Sequence, residues 1–295
     1  VGTNSGIFSD VESQAVGDSS KIELSARSVS LSDGAILKTS NAGEGNAGNI
    51  VVRASDNVSL TDTSLILSNI GSTSRQPGVG VGKVGNIFIE AREVSLTDGA
   101  QLQAGVFTGG QGEAAGIVSV KAIDSISFVG TNSGIFSDVE SQAVGDGSEI
   151  QLSARSVVLT DGAILKASNA GRGDAGSVTL NASETVSFDG SSLRSRVEEG
   201  AEGNAGGIDI TTGNLSVTNG AQLSSSTLGQ GDAGNVTVTA TDTVSFDGVD
   251  REGNPSGAFS TVGAGAVGDG GDLNLTARSL SLTNGGQLNT FVRAA

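Results

Sequence analysis

Residues 145–172 read GDGSEIQLSARSVVLTDGAILKASNAGR, and altered copies of this stretch occupy most of the 295-residue chain. Apolar and polar residues alternate from Ile150 to Ala154, a period of two that predicts a half-buried β-strand. The alternation returns at Val157, and again after Asp161-Gly162, a pair suited to a tight turn. The stretch therefore predicts three short strands, joined by turns, in 28 residues.

The pattern occurs nine times, at spacings of 28 to 37 residues, and in each copy the first strand ends in a small residue. These small residues are Ala26, Ala54, Ala91, Ala122, Ala154, Ala182, Thr212, Ala240 and Ala277. Apolar residues stand two and four positions before every one of them. Such columns are buried only when coil stacks on coil, so we predict an all-β solenoid of parallel sheets, about 43 Å long at about 4.8 Å per coil.

The distance from the small residue to the second strand alternates between 3 and 4 residues through all nine copies. We call the coils with the 3-residue bend short coils and those with the 4-residue bend long coils, so that the true repeat is a pair. The longest insertions lie in long coils, in segments 68–83, 129–144 and 248–267. We predict that they project along one side of the stack and make its contacts.

A larger duplication lies over this pattern. Residues 1–50 and 129–178 align without gaps at an offset of 128 and differ at ten positions, nearly all of them outside the inward columns. Substitutions at exposed positions around an unchanged core are typical of a structural repeat. We therefore predict that residues 1–295 form one continuous β-helix domain, a fragment of a longer array.

The composition restricts the chemistry of the chain. It contains no Cys and no His, which excludes thiolate and imidazole metal ligands, His-based general bases and the usual Ser-His-Asp triad. The net charge of −16 argues against binding nucleic acid or anionic membranes. No run of residues approaches the roughly 20 apolar positions needed to cross a bilayer, so we expect no membrane insertion.

Two columns of acidic and amide residues lie in the predicted turns. The column before the third strand comprises Asp33, Asp62, Asp98, Asp161, Asp189, Asn219, Asp247 and Asn284. The column before the first strand comprises Asp18, Asn46, Asp146, Asp174, Asn204, Asp232 and Asp269, and Lys83 and Ala114 interrupt it. Stacked carboxylates can collect calcium, but Asp and Asn are also the residues that tight turns require. We predict turn roles, assign no metal ligand or cofactor, and keep a calcium-dependent surface module as an alternative.

Two carboxylate pairs, Glu198 with Glu199 and Asp250 with Glu252, are candidates for the acid and base of a glycosidase. Both pairs lie in glycine-flanked insertions, and the chain has no Trp or Tyr to stack on a sugar. We therefore predict a non-enzymatic protein and assign no catalytic residue. A carbohydrate-active β-helix enzyme is the alternative.

Segments such as GNAGNIVVRASDNVSLTD (45–62) and GDAGNVTVTATDTVSFDG (231–248) resemble the repeat region of filamentous haemagglutinin-type exoproteins, which bacteria export by two-partner secretion. The resemblance covers essentially the whole chain and implies a right-handed parallel β-helix with no catalytic residues to carry over. It also implies a secreted location, extracellular or on the surface of a Gram-negative-type bacterium.

From this resemblance we expect a structural or adhesin shaft. During export its partner would be the outer-membrane transporter of a two-partner secretion system. Afterwards its partners would be glycans or proteins of a host, of neighbouring cells or of a matrix. We expect no nucleic-acid partner.

Overall fold

The computed structural model of the chain describes residues 5–71 and 80–293, and within these ranges every regular element is a β-strand. The strands stack in parallel and form a β-solenoid of about nine turns. The predicted all-β solenoid fold is therefore confirmed. Among the described residues there is no helix long and apolar enough to cross a membrane.

Two large parallel sheets run the length of the stack. The ten strands of the first, called here the short-strand sheet, are β1 (Gly6–Val11), β4 (Ile36–Asn41), β7 (Leu65–Ile70), β10 (Gln101–Val106), β13 (Gly134–Phe136), β15 (Ile164–Lys166), β17 (Ser192–Arg194), β19 (Gln222–Ser224), β21 (Gly257–Val262) and β24 (Gln287–Val292). A smaller sheet on the remaining side pairs β8 (Val81–Lys83) with β11 (Gln111–Ala114).

The second large sheet, the long-strand sheet, contains the first and second predicted strands of every coil. Its twelve strands are β2 (Ile22–Ala26), β3 (Val29–Leu31), β5 (Ile50–Ala54), β6 (Asn57–Leu60), β9 (Ile87–Thr97), β12 (Ile117–Val129), β14 (Glu149–Thr160), β16 (Val178–Asp189), β18 (Ile208–Thr218), β20 (Val236–Asp247), β22 (Leu273–Thr276) and β23 (Ser279–Thr283). In the central coils the two predicted strands are one bent strand, whereas β2 and β3, β5 and β6, and β22 and β23 are separate.

The alternating bend is a β-bulge in every second coil. Lys121 and Ser125 of a long coil pair with Ser153 and Ser156 of the next short coil, so four steps along one strand match three along the other. The same shift recurs at the neighbouring pairings. The extra residue makes the strand bend more sharply without moving the inward columns out of register.

The predicted apolar columns form one continuous core. Phe128, Phe188 and Phe246, which occupy the long coils, are fully buried, as are the leucines and valines at the same position of the other central coils. Each such side chain contributes roughly 1.5–3 kcal/mol on burial. In the last coil Leu280 and Leu282 are 49% and 45% exposed, because no further coil covers them within the described residues.

Hydroxyl groups on the inner side of the short-strand sheet donate hydrogen bonds across the interior. Thr39 Oγ1 donates to the carbonyl oxygen of Gly48 at 2.6 Å, and Ser195 Oγ donates to that of Gly176 at 2.8 Å. Ser137 bonds the carbonyl of Ser148 in the same way. These bonds satisfy buried polar groups that would otherwise destabilise the core.

A column of glycines stands at the corner before the long-strand sheet. Gly203 and Gly231 have φ angles of +135° and +133°, a region that side chains rarely adopt. A Cβ added to Gly203 would collide with the carbonyl oxygen of Gly173, and one added to Gly231 would collide with that of Gly203. Glycine at this corner therefore lets successive coils approach to the normal sheet spacing.

The insertions lie at two corners of the coil, so the prediction that they project along one side is correct only in part. At one corner the long coils take five steps, in 139–144, 197–202 and 262–267, where the short coils between them take three, in 169–172 and 227–230. The largest described insertion lies at another corner. Residues 248–256 lie between β20 and β21, where Val249 and Pro255 pair antiparallel in a hairpin. The insertion in segment 68–83 falls largely on residues 72–79, with Pro77, which lie outside the described residues. Segments 129–144 and 248–267 also include the regular strands β13 and β21. The length of a coil in sequence gives the number of added residues but does not show at which corner of the coil they lie.

Candidate functional site

The outer face of the short-strand sheet carries the most distinctive side chains of the described surface. Register pairs Lys166 of β15 with Arg194 of β17, and Arg194 with Ser224 of β19. Their inward neighbours Leu165 and Leu193 are fully buried, so the polar residues of this alternation point outward. Residues about 28 apart in sequence thereby become lateral neighbours at about 4.8 Å.

Three cations meet on this face. Lys166 Nζ donates to Asp138 Oδ2 at 3.0 Å, and Arg196 Nη2 donates to Glu198 Oε1 at 3.1 Å. Within residues 5–71 and 80–293, no Asp or Glu lies within ion-pair distance of Arg194. The half-buried guanidinium of Arg194 is therefore not neutralised by a carboxylate in direct contact.

The surroundings shift the pKa values of two groups in this cluster. Burial, followed by the charge of Arg196, lowers the pKa of the Arg194 guanidinium. Burial also raises the pKa of the Asp138 carboxyl, although Lys166 and the N–H of Ser168 favour its charged form. Arg196 Nε is buried and has no hydrogen-bond partner among the described residues. Positive charge is therefore held here under partial desolvation.

Two neighbouring grooves lie on this face. The first has a volume of about 510 Å³, and the hairpin 248–256 supplies one of its walls through Asp250 and Asn254. The second has a volume of about 410 Å³ and takes Pro255 from the same hairpin. Gln222 lines both grooves, so they adjoin along the sheet.

The lining of the two grooves is rich in amides and guanidinium groups. The first groove includes Arg194 together with Asn132, Asn219, Gln222 and Asn254. The second includes Arg196, Arg293, Ser224, Ser226, Thr261, Gln287, Asn289, Phe259 and Phe291. The guanidinium of Arg293 lies over the ring of Phe291, 4.9 Å from its centroid. Such a surface can donate and accept several hydrogen bonds and offers aromatic rings to an apolar ligand face.

The predicted turn role is confirmed for six of the eight residues of the first acidic column, whereas Asp189 and Asp247 are the last residues of β16 and β20. Asp33, Asp98 and Asp161 have φ angles of 55°, 55° and 56°, and the glycine after each also has a positive φ. Two successive positive φ values define a type I′ turn, for which Asp-Gly and Asn-Gly are the favoured pairs. Within the described parts of the chain, no group of three or more acidic residues is placed to hold a metal ion.

The second column forms a ladder between coils. Each Asp or Asn side chain accepts the backbone N–H of its equivalent in the next coil through Oδ1. The described links are Asp18 to Asn46, Asn46 to Lys83, Asp146 to Asp174, Asp174 to Asn204, Asn204 to Asp232 and Asp232 to Asp269. Asp and Asn serve equally because only the shared Oδ1 acceptor is used.

The two candidate carboxylate pairs are engaged in local structure. Both carboxylate oxygens of Glu198 accept from Arg196, while Glu199 is exposed at the following turn. Asp250 accepts from the Asn254 side chain at 2.7 Å and from its backbone N–H at 2.8 Å, which lowers the pKa of the Asp250 carboxyl. Asp250 thus organises the hairpin, and Glu252 is exposed beside it.

A further column at the bend of the long-strand sheet escaped sequence analysis. Short coils place Arg directly after the small residue, and long coils place Asp or Glu two positions after it. The ion pairs are Arg27 with Asp56, Arg92 with Asp124, Arg155 with Asp124 and Glu184, and Arg278 with Asp242. Gly213 interrupts the column. Aligning the coils by their small residues would have revealed the alternation of charge.

No known protein family, no curated protein and no solved structure matches the chain. Its geometry is that of a parallel β-solenoid of about nine turns, consistent with a β-helix repeat protein.

Proposed function

We propose that the chain is a non-enzymatic, extracellular shaft of a bacterial surface protein, of the filamentous haemagglutinin type suggested by its repeats. The observation that carries this proposal is the uninterrupted stack of about nine turns, each burying equivalent columns. A stack with nearest-neighbour cohesion makes a rod that separates whatever lies at its two ends by roughly 40 Å.

The surface chemistry supports a shaft that also makes contacts. The net charge of −16 favours solubility, and the stack is held together without disulfides, since the chain has no Cys. We place the contact surface on the outer face of the short-strand sheet, where the hairpin 248–256, an insertion of a long coil, walls both grooves. Its partners there are glycans or proteins of a host, of neighbouring cells or of a matrix.

Export through an outer-membrane two-partner secretion transporter belongs to the same proposal. A parallel solenoid can fold coil by coil as it emerges, since each coil needs only its neighbour. The test fuses the chain behind a two-partner secretion domain and expresses it with the matching transporter. Folded rod in the medium or on the cell surface is the expected result, and retention in the periplasm despite export of the secretion domain alone would contradict it.

The adhesive role is tested with microspheres that carry the purified chain. We expect them to attach to bacterial cells or to extracellular matrix more than spheres coated with an unrelated acidic protein of matched charge. Equal attachment would contradict the proposal. The enzyme alternative predicts instead that the free protein releases reducing ends from polysaccharides, and the same preparation serves for that assay.

A further inference from the structure

The outer face of the short-strand sheet concentrates positive charge on an acidic chain. Lys166, Arg194 and Arg196 stand together, while the chain as a whole has a net charge of −16. Two of these cations have a carboxylate partner, Lys166 through Asp138 and Arg196 through Glu198, and Arg194 has none within the described residues. Asp250 opposes Arg194 in the lining of the first groove, whereas the second groove adds Arg196, which pairs with Glu198, and Arg293. Three cations against two carboxylates leave an excess of one positive charge along the two grooves together.

The placement of Arg194 is unfavourable without a ligand. It lies directly opposite Lys166 across the sheet, and like charges in that position repel. Arg196 follows two residues later on the same outward side. Burial, and after it the charge of Arg196, lowers the pKa of Arg194, and the charge of Glu198 opposes this shift. The buried Nε of Arg196 lacks an acceptor within the described chain. An anionic group above these two arginines would relieve the repulsion and accept hydrogen bonds that are otherwise unmade.

The rest of the lining fits a chain of sugar rings. Amides of Gln222, Asn254 and Gln287 match hydroxyl groups as donors and acceptors, and the ring of Phe259 offers an apolar surface. The grooves take residues from β15 to β24, five adjacent strands that span roughly 19 Å. This length suits an oligomer and exceeds what a single sugar would fill.

We propose that an acidic polysaccharide, bearing carboxylates or sulfates, binds along these two grooves. Its anionic group binds Arg194 and Arg196, and its rings lie on Phe259 and the amides. A peptide is less suited, because the backbone groups of these strands are already paired within the sheet. This proposal rests on the proposed contact function and names the ligand class for the same face.

Binding is measured by isothermal titration with three probes: a short oligogalacturonate, a neutral galactan oligomer of equal length, and an inorganic polyphosphate of matched charge. We expect the oligogalacturonate to bind and the galactan not to bind. Arg194→Gln weakens oligogalacturonate binding at least about tenfold, equivalent to about 1.4 kcal/mol, because a charge-assisted hydrogen bond is lost. Phe259→Ala weakens binding of the oligogalacturonate but not of the polyphosphate.

The matched control is Arg53→Gln on the outer face of the long-strand sheet, where Arg53 pairs with Glu23 and Glu90. It removes one positive charge away from the grooves and leaves binding unchanged. Equal weakening by both arginine variants, equal binding of galactan, or unchanged binding by Arg194→Gln would overturn the proposal. Urea unfolding of each variant verifies that the rod is intact.

Failure of this proposal is separable from failure of the shaft function. If coated microspheres attach as well with Arg194→Gln as with the natural chain, and no acidic oligosaccharide binds, the ligand class is wrong and the adhesive shaft stands. If the oligosaccharide binds but microspheres and exported rod show no attachment, the shaft function fails alone.

Discussion

Asp174 Oδ1 accepts the backbone N–H of Asn204 at 2.7 Å, although Asn204 lies 30 residues later and one coil further along the stack. Asp174 in turn donates its own N–H to Asp146 Oδ1 at 2.9 Å. A side chain that looks like a turn residue in sequence is thus a link between consecutive coils. This ladder runs beside the glycine column, so one corner of the solenoid combines close packing with a repeated hydrogen bond.

Replacing Asp174 with Ala removes one link of the ladder. We expect the variant to lose about 0.5–1.5 kcal/mol of unfolding free energy, because the N–H of Asn204 must find water instead. Asp174→Asn keeps the Oδ1 acceptor and is expected to unfold like the natural chain. Urea denaturation followed by circular dichroism measures both. A calcium role for this column would show instead as equal damage by the two variants and as a stability gain on adding calcium.

Glycine at the stacked corner is required for a different reason from glycine at an open turn. Gly203→Ala brings a Cβ onto the carbonyl of Gly173, whereas Gly200→Ala, at φ +79°, meets no atom within 4 Å. We expect Gly200→Ala to cost about 1–2 kcal/mol from the backbone conformation alone. Gly203→Ala is expected to cost at least about 2 kcal/mol more, because the coils must separate. Similar losses in the two variants would show that the coils already have room at this corner.

The charge column at the bend predicts a salt-dependent contribution. Asp124 accepts from Arg92 and Arg155, both at 3.1 Å, and is 25% exposed. Asp124→Ala is expected to lose about 0.5–1 kcal/mol at low ionic strength, and less in 1 M salt. Asp124→Lys should lose more, since it sets a third cation between two arginines. Glu113→Ala is the control, because Glu113 is exposed and has no ion pair among the described residues. A salt-independent loss would contradict an electrostatic origin.

The phenylalanine of the long coils is a test of core packing. Phe188 is fully buried between Leu159 and Val217 of the adjacent coils. Phe188→Ala is expected to lose about 3–5 kcal/mol of unfolding free energy. Phe188→Leu should lose roughly half as much, because leucine is the residue of the neighbouring coil and leaves a smaller void. A loss as large for Leu as for Ala would mean that the ring shape, and not the buried volume, is required.

Two carboxylates predict opposite changes of stability with pH. Burial raises the pKa of Asp138 above its ordinary value of 3.8, so its ionisation destabilises the fold as the pH rises from 3.8 through that higher pKa. Hydrogen bonds from Thr283 and Asn284 lower the pKa of Asp247, so its contribution is present above pH 3.8 and is lost as the pH falls through the lower pKa.

The measurement is the urea midpoint between pH 2 and pH 7, compared with the natural chain. The urea midpoint of Asp138→Asn should rise relative to that of the natural chain as the pH increases. The urea midpoint of Asp247→Asn should fall relative to that of the natural chain as the pH increases through the lower part of the range. Equal pH profiles for the two variants would contradict the assigned environments.

Much of the fold follows from local pattern. The alternation around Ile150 identifies a strand and its buried side, and Asp161-Gly162 identifies the turn, because both depend on neighbours in sequence. The sequence pattern predicts a break at the bend between the first two strands, because it does not show that a bulge can carry one strand through the bend. The sequence shows that the hairpin 248–256 lengthens its coil but not at which corner it lies, because residues added at any corner lengthen the coil equally.

The binding face was less accessible to sequence analysis. Arg194 is an isolated arginine in sequence, and its significance arises from Lys166 in the preceding coil and Gln222 in the next. The register that joins them is set by loop lengths over about 28 residues on either side. The members of each acidic pair lie one or two positions apart in sequence, which makes the pairs conspicuous there, whereas in the structure Arg196 and Asn254 engage Glu198 and Asp250 locally.

The alternation of bulged and regular coils also governs how such a rod changes length over evolutionary time. Inserting one coil would set two bulges, or two arginines, side by side, whereas inserting a pair preserves both alternations. The repeat of residues 1–50 at 129–178 obeys this rule, because the distance from Ala26 to Ala154 covers four coils. Recombination between repeats of the gene can therefore extend or shorten the molecule in steps of about 10 Å, and its reach can be selected without designing a new core.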